Sequence, residues 1–349
     1  MLLPHTVVNP LARVEIRRFL DKPGEVLVQA GDQVEPFQIV AQAQQPPDFH
    51  IVNASRILGL PPKKVRAALK VEVGQQVSDG DVLASRGGLG GRVCRAPFDG
   101  LITGYGRGRL LLEAPAEELQ IDALVPGTVV QVWPGRGVLI ETQGGYIQAA
   151  WGNGKEAFGV LRVVVRRPRH PLRARRLDAS AQGAIVVAGS GLDEEALEQA
   201  IEMQVQGIIL GGVPVSLLPR LQEVDFPVIA TEGVGSITMS KAAFKLLNSL
   251  DGREAAISGR LESRWNRNRP FVVVPMPSEM GAPINPEVPL EVGSRVRALR
   301  RPYLGMSGTV TDMPPGTVSL ETGARVHGVF VDFEGDEVFV PYANLELLL

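Results

Sequence analysis

A phrase repeated near the start of the chain limits what it can fold into. Gly24-Glu25-Val26-Leu27-Val28-x-x-Gly31-Asp32-x-Val34 returns as Val71-x-Val73-Gly74-x-x-Val77-x-x-Gly80-Asp81-Val82-Leu83-Ala84. Each copy sets branched apolar residues around a glycine-centred turn, the pattern of short half-buried strands joined by tight hairpins. A third segment of this kind, Arg95-Ala96-Pro97-Phe98-Asp99-Gly100-Leu101-Ile102, follows closely. Between the copies, positions 53–70 break the strand pattern. Asn53 suits an N-cap, Ile57, Leu58, Val65 and Leu69 fall at helical spacing, and Gly59-Leu60-Pro61-Pro62 interrupts them, so a hairpin of two short helices is expected.

The rest of the chain divides by its own patterns. Runs at 128–132, 138–141 and 160–165 read as strands joined by glycine-rich turns. The continuous apolar runs 184–188, 207–210 and 228–230 read as strands buried on both faces. Between the first two, 193–204 carries Leu197, Ala200 and Ile201 on one stripe behind an acidic first turn, and a helical stretch is expected over 239–250. Strands alternating with helices make a small parallel α/β domain. Five prolines from Pro275 to Pro289 mark an extended linker, and beyond it 294–299, 308–312, 317–320, 328–333 and 337–340 predict a small barrel. The expected division is 1–115 with the helical insert 53–70, a β region with a basic linker at 116–177, an α/β domain at 178–274, a proline-rich linker at 275–290 and a barrel at 291–349. The fold class is multidomain, β-rich plus α/β.

Composition narrows the function. At 349 residues the chain exceeds one ordinary core, and apolar and charged shares of 44% and 21% are those of a globular protein. Aromatic residues make up only 5%, too few for broad base-stacking platforms. The single cysteine, Cys94, forms no CxxC pattern and implies a reducing compartment. With neither a leader pattern at the N-terminus nor an 18-residue apolar run, a cytoplasmic protein without a membrane partner is expected. The net charge of -2 makes any attraction to polyanions local.

Two resemblances follow from these residues. With its Gly31-Asp32 and Gly80-Asp81 turns and its Ala96-Pro97-x-Asp99-Gly100 step, the span 1–115 resembles the barrel-sandwich hybrid fold of biotinyl and lipoyl carrier domains and of RNA polymerase insert domains. The attachment lysine of those carriers is missing, so no swinging-arm cofactor, and no cofactor of any kind, is expected. At the other end, Gly293-x-x-Val296 with Tyr303-x-Gly305-x-x-Gly308-x-Val310 and the closing Val340-Pro341-x-x-Asn344-Leu345-Glu346 resemble the KOW-type, SH3-like barrels of NusG-family transcription factors and several ribosomal proteins. That resemblance implies binding of RNA, DNA or a protein of the transcription or translation machinery.

Candidate sites are few. Arg162, Arg166, Arg167, Arg169, Arg173, Arg175 and Arg176 form a run with no acidic residue among them, able to engage several phosphates or to be a solvated connector. Arg260, Arg264, Arg267 and Arg269 with Trp265, and Arg295, Arg297, Arg300 and Arg301 with Tyr303, add two further basic groups. Gly233, Gly235 and Ser236 follow a buried strand and precede a helix, where backbone amides could cradle an anion; the same turn also suits an ordinary strand-to-helix connection. Lys63, Lys64 and Arg66 stand where a recognition helix would begin, although a purely structural helical hairpin explains them better. Gly152-Asn153-Gly154-Lys155 fails the P-loop pattern, no nucleophile elbow surrounds Ser190, and His5, His50, His170 and His327 share no metal spacing. No reaction is legible. The expected function is a non-enzymatic binding or scaffold protein that engages nucleic acid or the transcription or translation machinery, with an anionic-ligand or enzyme subunit and a self-assembling homo-oligomer as the alternatives.

Overall fold

The computed structural model of the chain describes residues 5–44, 47–87, 91–115, 118–260, 269–277, 282–283 and 289–348. The chain is 45% strand and 15% helix over several sheets, which makes it β-rich. No helix among the described residues is long and apolar enough to cross a membrane.

The repeated phrase builds a repeated turn. In the first copy Gly31 takes a φ of 96°, Asp32 N–H donates to the Gln29 carbonyl at 3.2 Å, and the Asp32 carboxylate accepts from Gln29 N–H at 2.8 Å. In the second, Gly80 takes a φ of 81°, Asp81 N–H reaches the Ser78 carbonyl at 3.0 Å, and the Asp81 carboxylate accepts from Ser78 N–H at 2.8 Å. The positive φ requires glycine and the aspartate clamps the turn from its own side chain.

The two copies nevertheless lie in separate cores. Val28 and Val34 pack with Val129 and Ile140, whereas Val71 and Val77 pack with Leu58, Leu83 and Ile102. The first copy closes its sheet with strands from beyond position 115: Glu118–Asp122 pairs with Ile39–Gln44, and Gly127–Trp133 pairs with Gln33–Val34. The second copy is completed locally by strands Phe49–Val52, Gly100–Gly106 and Arg109–Glu113. Its helical hairpin has the expected cap, Asn53 Oδ1 accepting from Arg56 N–H at 3.0 Å, and Gly59 at φ 64° ends the helix Ala54–Leu58. The second piece, Pro62–Val65, is one turn whose Val65 is buried while Lys63, Lys64 and Arg66 are exposed. It runs on into a 3₁₀ turn at Arg66–Ala68, and Leu58 and Val65 seat the hairpin on the core beneath it.

Cys94 sits in that core with no exposed surface, and burial raises its thiol pKa. Both effects withhold the reactive thiolate. In the native protein at neutral pH, Cys94 is expected to resist iodoacetamide until this module unfolds, so labelling followed by mass spectrometry should track denaturant. Complete labelling within minutes without denaturant would contradict the packing.

A twelve-stranded sheet forms the spine. Val8–Phe19 runs antiparallel to Gly137–Gln148, and its two-residue alternation puts Ala12, Val14, Ile16 and Arg18 on the buried side. The sheet continues through Phe271–Pro275, Glu254–Ser258 and Glu156–Val163. Over its last residues Glu156–Val163 pairs in parallel with Ile185–Val187, followed in simple order by Gly207–Val213 and Val228–Val234. Helices Glu194–Glu202, Leu218–Glu223 and Lys241–Ser249 bury Leu197, Leu221 and Leu247 against these strands.

Two expectations change here. The last of these helices starts at Lys241, not at 239, because Ser240 Oγ caps it by accepting from Ala243 N–H at 3.3 Å. In the helix Glu194–Glu202 the buried stripe is Ala196, Leu197 and Ala200. Ile201 is 43% exposed because the last turn overhangs a cleft.

At the C-terminal end, strands Leu345–Leu348, Arg295–Ala298, Ser307–Asp312, Gly328–Phe333 and Asp336–Pro341 lie side by side in that order, and His5–Thr6 adds to the outer edge in parallel. Val318–Ser319 leaves this sheet to pair with Arg325–Val326. Leu345–Leu348 lies outside the runs expected from sequence. Leu345-Glu346-Leu347 alternates too briefly to stand out, and the structure buries all three residues, Glu346 included.

Candidate nucleic-acid interface and a charged cleft

The carboxyl ends of the parallel strands bring together segments far apart in sequence. The Pro168 and His170 carbonyls approach so closely that a Cβ on Gly189 would lie 2.3 and 2.6 Å from them, and the His170 carbonyl accepts from Gly189 N–H at 2.9 Å. The Gly189 carbonyl in turn accepts from Gly211 N–H at 2.7 Å and Met239 N–H at 3.2 Å. A Cβ on Gly212 would meet the Gly235 carbonyl at 2.2 Å, and one on Gly305 would touch Ile237 at 3.4 Å. The arginine loop after Val163, three glycine turns and the hairpin carrying Arg300 and Arg301 thus form one continuous edge.

Most arginines of the first run face solvent there. Arg166, Arg167, Arg169, Arg175 and Arg176 are exposed and make no ion pair among the described residues. Arg162 lies 3.9 Å from Asp251, and Arg173 pairs with Asp193, the cap of the helix Glu194–Glu202. Arg300 and Arg301 are exposed as well. Leu304 and Val215 on neighbouring turns add apolar surface, 42% and 67% exposed.

The glycine turns themselves are filled. Gly235 N–H donates to the Val213 carbonyl at 2.7 Å and Ile237 N–H to the Gly235 carbonyl at 3.0 Å. Gly233 lies in the strand ladder opposite Gly212. Ser236 is exposed, and five positions separate Gly235 from the helix cap at Ser240. Cation side chains, more than backbone amides, are what this edge offers an anion.

The middle basic group has other partners. Arg260 Nε lies 3.0 Å from Glu156, and Arg269 lies 2.8 Å from Glu346. Arg264 and Arg267, with Trp265, lie outside the described residues.

Two buried charge clusters escape the sequence reading. In the first, Arg18, 4% exposed, donates to Glu156 at 2.8 and 2.9 Å, to the Asp122 carboxylate at 2.9 Å and to the Asp122 carbonyl at 2.8 Å. Ser258 Oγ donates to Glu156 at 2.7 Å. Burial pushes the Asp122 carboxyl above the usual carboxylate range; Arg18 opposes the shift and Glu156 adds to it. This cluster floors a cleft of about 870 Å³ at the amino ends of the parallel strands. In the second, Arg297 pairs with Glu232 and Glu346, all three side chains no more than 4% exposed. The signal was present in both cases. Arg18 continues the buried alternation Ala12, Val14, Ile16, while Arg297 and Glu346 interrupt the apolar runs Val296–Ala298 and Leu345–Leu347.

Comparison with protein-family models returns no match, and comparison with curated proteins returns none either, so the geometry of these sites is what the function has to be read from.

Proposed function

We propose that this chain is a non-enzymatic, multidomain nucleic-acid-binding protein that grips the phosphate backbone along the carboxyl edge of its parallel strands. One observation carries the reading: exposed arginines without acidic partners among the described residues arrive at this edge from two segments more than a hundred positions apart. Such an array neutralises several phosphates at once, which gives affinity without sequence preference.

The finer fold reading agrees with it. The C-terminal strands run in the order fifth, first, second, third, fourth, with the short helical turn Tyr342–Asn344 before the last, an order that supports an SH3-like reading. We read 291–349 as a KOW-type barrel on this basis, and the paired Gly-Asp turns as a barrel-sandwich hybrid arrangement without a carrier lysine. With only 5% aromatic residues, recognition is left to charge and shape.

Fluorescence anisotropy with a labelled single-stranded RNA and a DNA duplex tests the proposal. Binding should weaken steeply with salt, log K falling linearly with log salt at a slope of about -0.7 per phosphate contacted on a single strand. An affinity that ignores salt, or no binding at low salt, would refute it.

A further inference from the structure

We propose that the edge strand Phe49–Val52 pairs antiparallel with the same strand of a second copy of this chain, joining two four-stranded sheets into one across a two-fold axis at His50. The surface shares no residue with the arginine edge, so either reading can fail without the other.

The strand is an open edge. It is bordered on one side only, by Arg109–Glu113, in the sheet that continues through Gly100–Gly106 to the two-residue strand Gln76–Val77. Ala114 N–H donates to the Asp48 carbonyl at 2.9 Å, which sets the phase of this ladder. In antiparallel pairing alternate residues turn their main-chain groups to the same neighbour, so Asp48, His50 and Val52 bond inward while Phe49 and Ile51 point their amides and carbonyls outward. Those outward groups meet no other partner among the described residues.

The side chains agree. Val52, Leu110 and Leu112 lie in the core of this module, so the pleat turns Phe49 and Ile51 to the other face, where they are 58% and 59% exposed beside the half-buried Leu111. An apolar edge with unpaired main chain is a template for another strand. The longer edges elsewhere are guarded: Glu118–Asp122 carries an acidic residue at each end, and Asp336–Pro341 opens on two acidic residues and closes on proline. Phe49-His50-Ile51-Val52 has no Asp, Glu, Lys, Arg or Pro, and its register with Arg109–Glu113 holds without a bulge.

Symmetry selects the occupant. The two outward residues stand one position either side of His50, so a copy turned about His50 sets Phe49 against Ile51 of the second copy, and Ile51 against its Phe49, with apolar side chains on one shared face. Four main-chain hydrogen bonds form, and His50 meets its own counterpart as the non-hydrogen-bonded pair between them. A two-fold axis also brings each side chain near its own kind, and a strand without carboxylates, ammoniums or guanidiniums escapes the repulsion this would cause. Both open edges are used at once, so the assembly closes at two copies. With one four-residue strand from each, the interface falls below about 1,200 Å², the range of transient contacts, and the dimer dissociates at roughly micromolar concentrations.

Sedimentation equilibrium of the full chain from about 1 to about 200 µM should show monomer and dimer in exchange. Ile51→Pro removes an outward N–H and leaves the bonds to Arg109–Glu113 in place, so it should weaken the dimer about tenfold or more without lowering the Tm. Crosslinking reads the register. Opposed residues of a non-hydrogen-bonded pair hold their Cα atoms about 4.5 Å apart, within disulfide range, whereas diagonal neighbours stand about 7–8 Å apart. His50→Cys should therefore give a disulfide-linked dimer when diamide takes the two thiol hydrogens, and Ile51→Cys, whose counterpart lies on the diagonal, should not; the one native cysteine, Cys94, is buried. A monomer at every concentration would overturn the proposal and leave the edge to a strand of another protein. A dimer indifferent to Ile51→Pro, or one crosslinked as readily through Ile51→Cys as through His50→Cys, would overturn it too.

Discussion

Arg297→Ala is expected to lower unfolding free energy by about 3–5 kcal/mol, the cost of leaving buried carboxylates without their cation. Arg297 is 2% exposed, and its guanidinium joins Glu232 on the strand Val228–Val234 to Glu346 on Leu345–Leu348. Glu232 also accepts from Ser240 N–H at 2.8 Å, at the cap of the helix Lys241–Ser249. Arg269, leading into Phe271–Pro275, holds Glu346 at 2.8 Å. The cluster therefore pins the C-terminal sheet to the parallel sheet, and removing its centre leaves Glu232 buried with neutral donors. Chemical denaturation of the variant should show a lower midpoint or a separate early transition for the C-terminal sheet. The double change Arg297→Met, Glu232→Gln removes the cation together with the carboxylate it would leave uncompensated, while keeping an acceptor for Ser240 N–H and the Arg269–Glu346 pair, and should recover part of the loss. A cost under about 1 kcal/mol for Arg297→Ala would mean that water reaches the cluster and screens it.

What the sequence reveals about this fold follows from which signals are local. The glycine turns, the cap at Asn53, the three parallel strands and the C-terminal β runs depend on residues within a few positions of each other, and each stands close to where its pattern predicts. Pairing partners are a different matter. The two copies of the Gly-Asp phrase look like halves of one unit, yet Gly31 N–H finds Val129 and Gly80 N–H finds Ala96, and nothing in the copies themselves distinguishes these outcomes. The same limit applies to the sites. An exposed arginine run is visible as composition, but its approach to the Arg300–Arg301 hairpin depends on the loop at Ile237 packing against both Gly212 and Gly305. Arg18 and Arg297 read as surface charge until their alternation is followed into the core. Arg260 and Arg269, grouped by sequence with a basic patch, spend their charge on Glu156 and Glu346 instead.

Arg166→Ala, Arg167→Ala, Arg300→Ala and Arg301→Ala combined should lower RNA affinity by about a hundredfold at low salt and flatten the salt dependence by up to about 2.8, four contacts at ~0.7 each on a single strand. All four side chains are exposed and without ion pairs among the described residues, so the variant should keep the melting temperature of the parent. Net charge alone would weaken binding to any polyanion, and the comparison that separates charge from geometry lies within the same chain. Lys63, Lys64, Arg66 and Lys70 are also exposed, on the helical hairpin. Neutralising those four changes the net charge equally while leaving the carboxyl edge intact. If the edge is the binding surface, the hairpin variant keeps nearly the full slope, because long-range attraction decays within a Debye length of about 10 Å at 0.1 M salt. Equal losses from both variants would show diffuse attraction without a site, and a larger loss from the hairpin would move the nucleic acid to the hairpin.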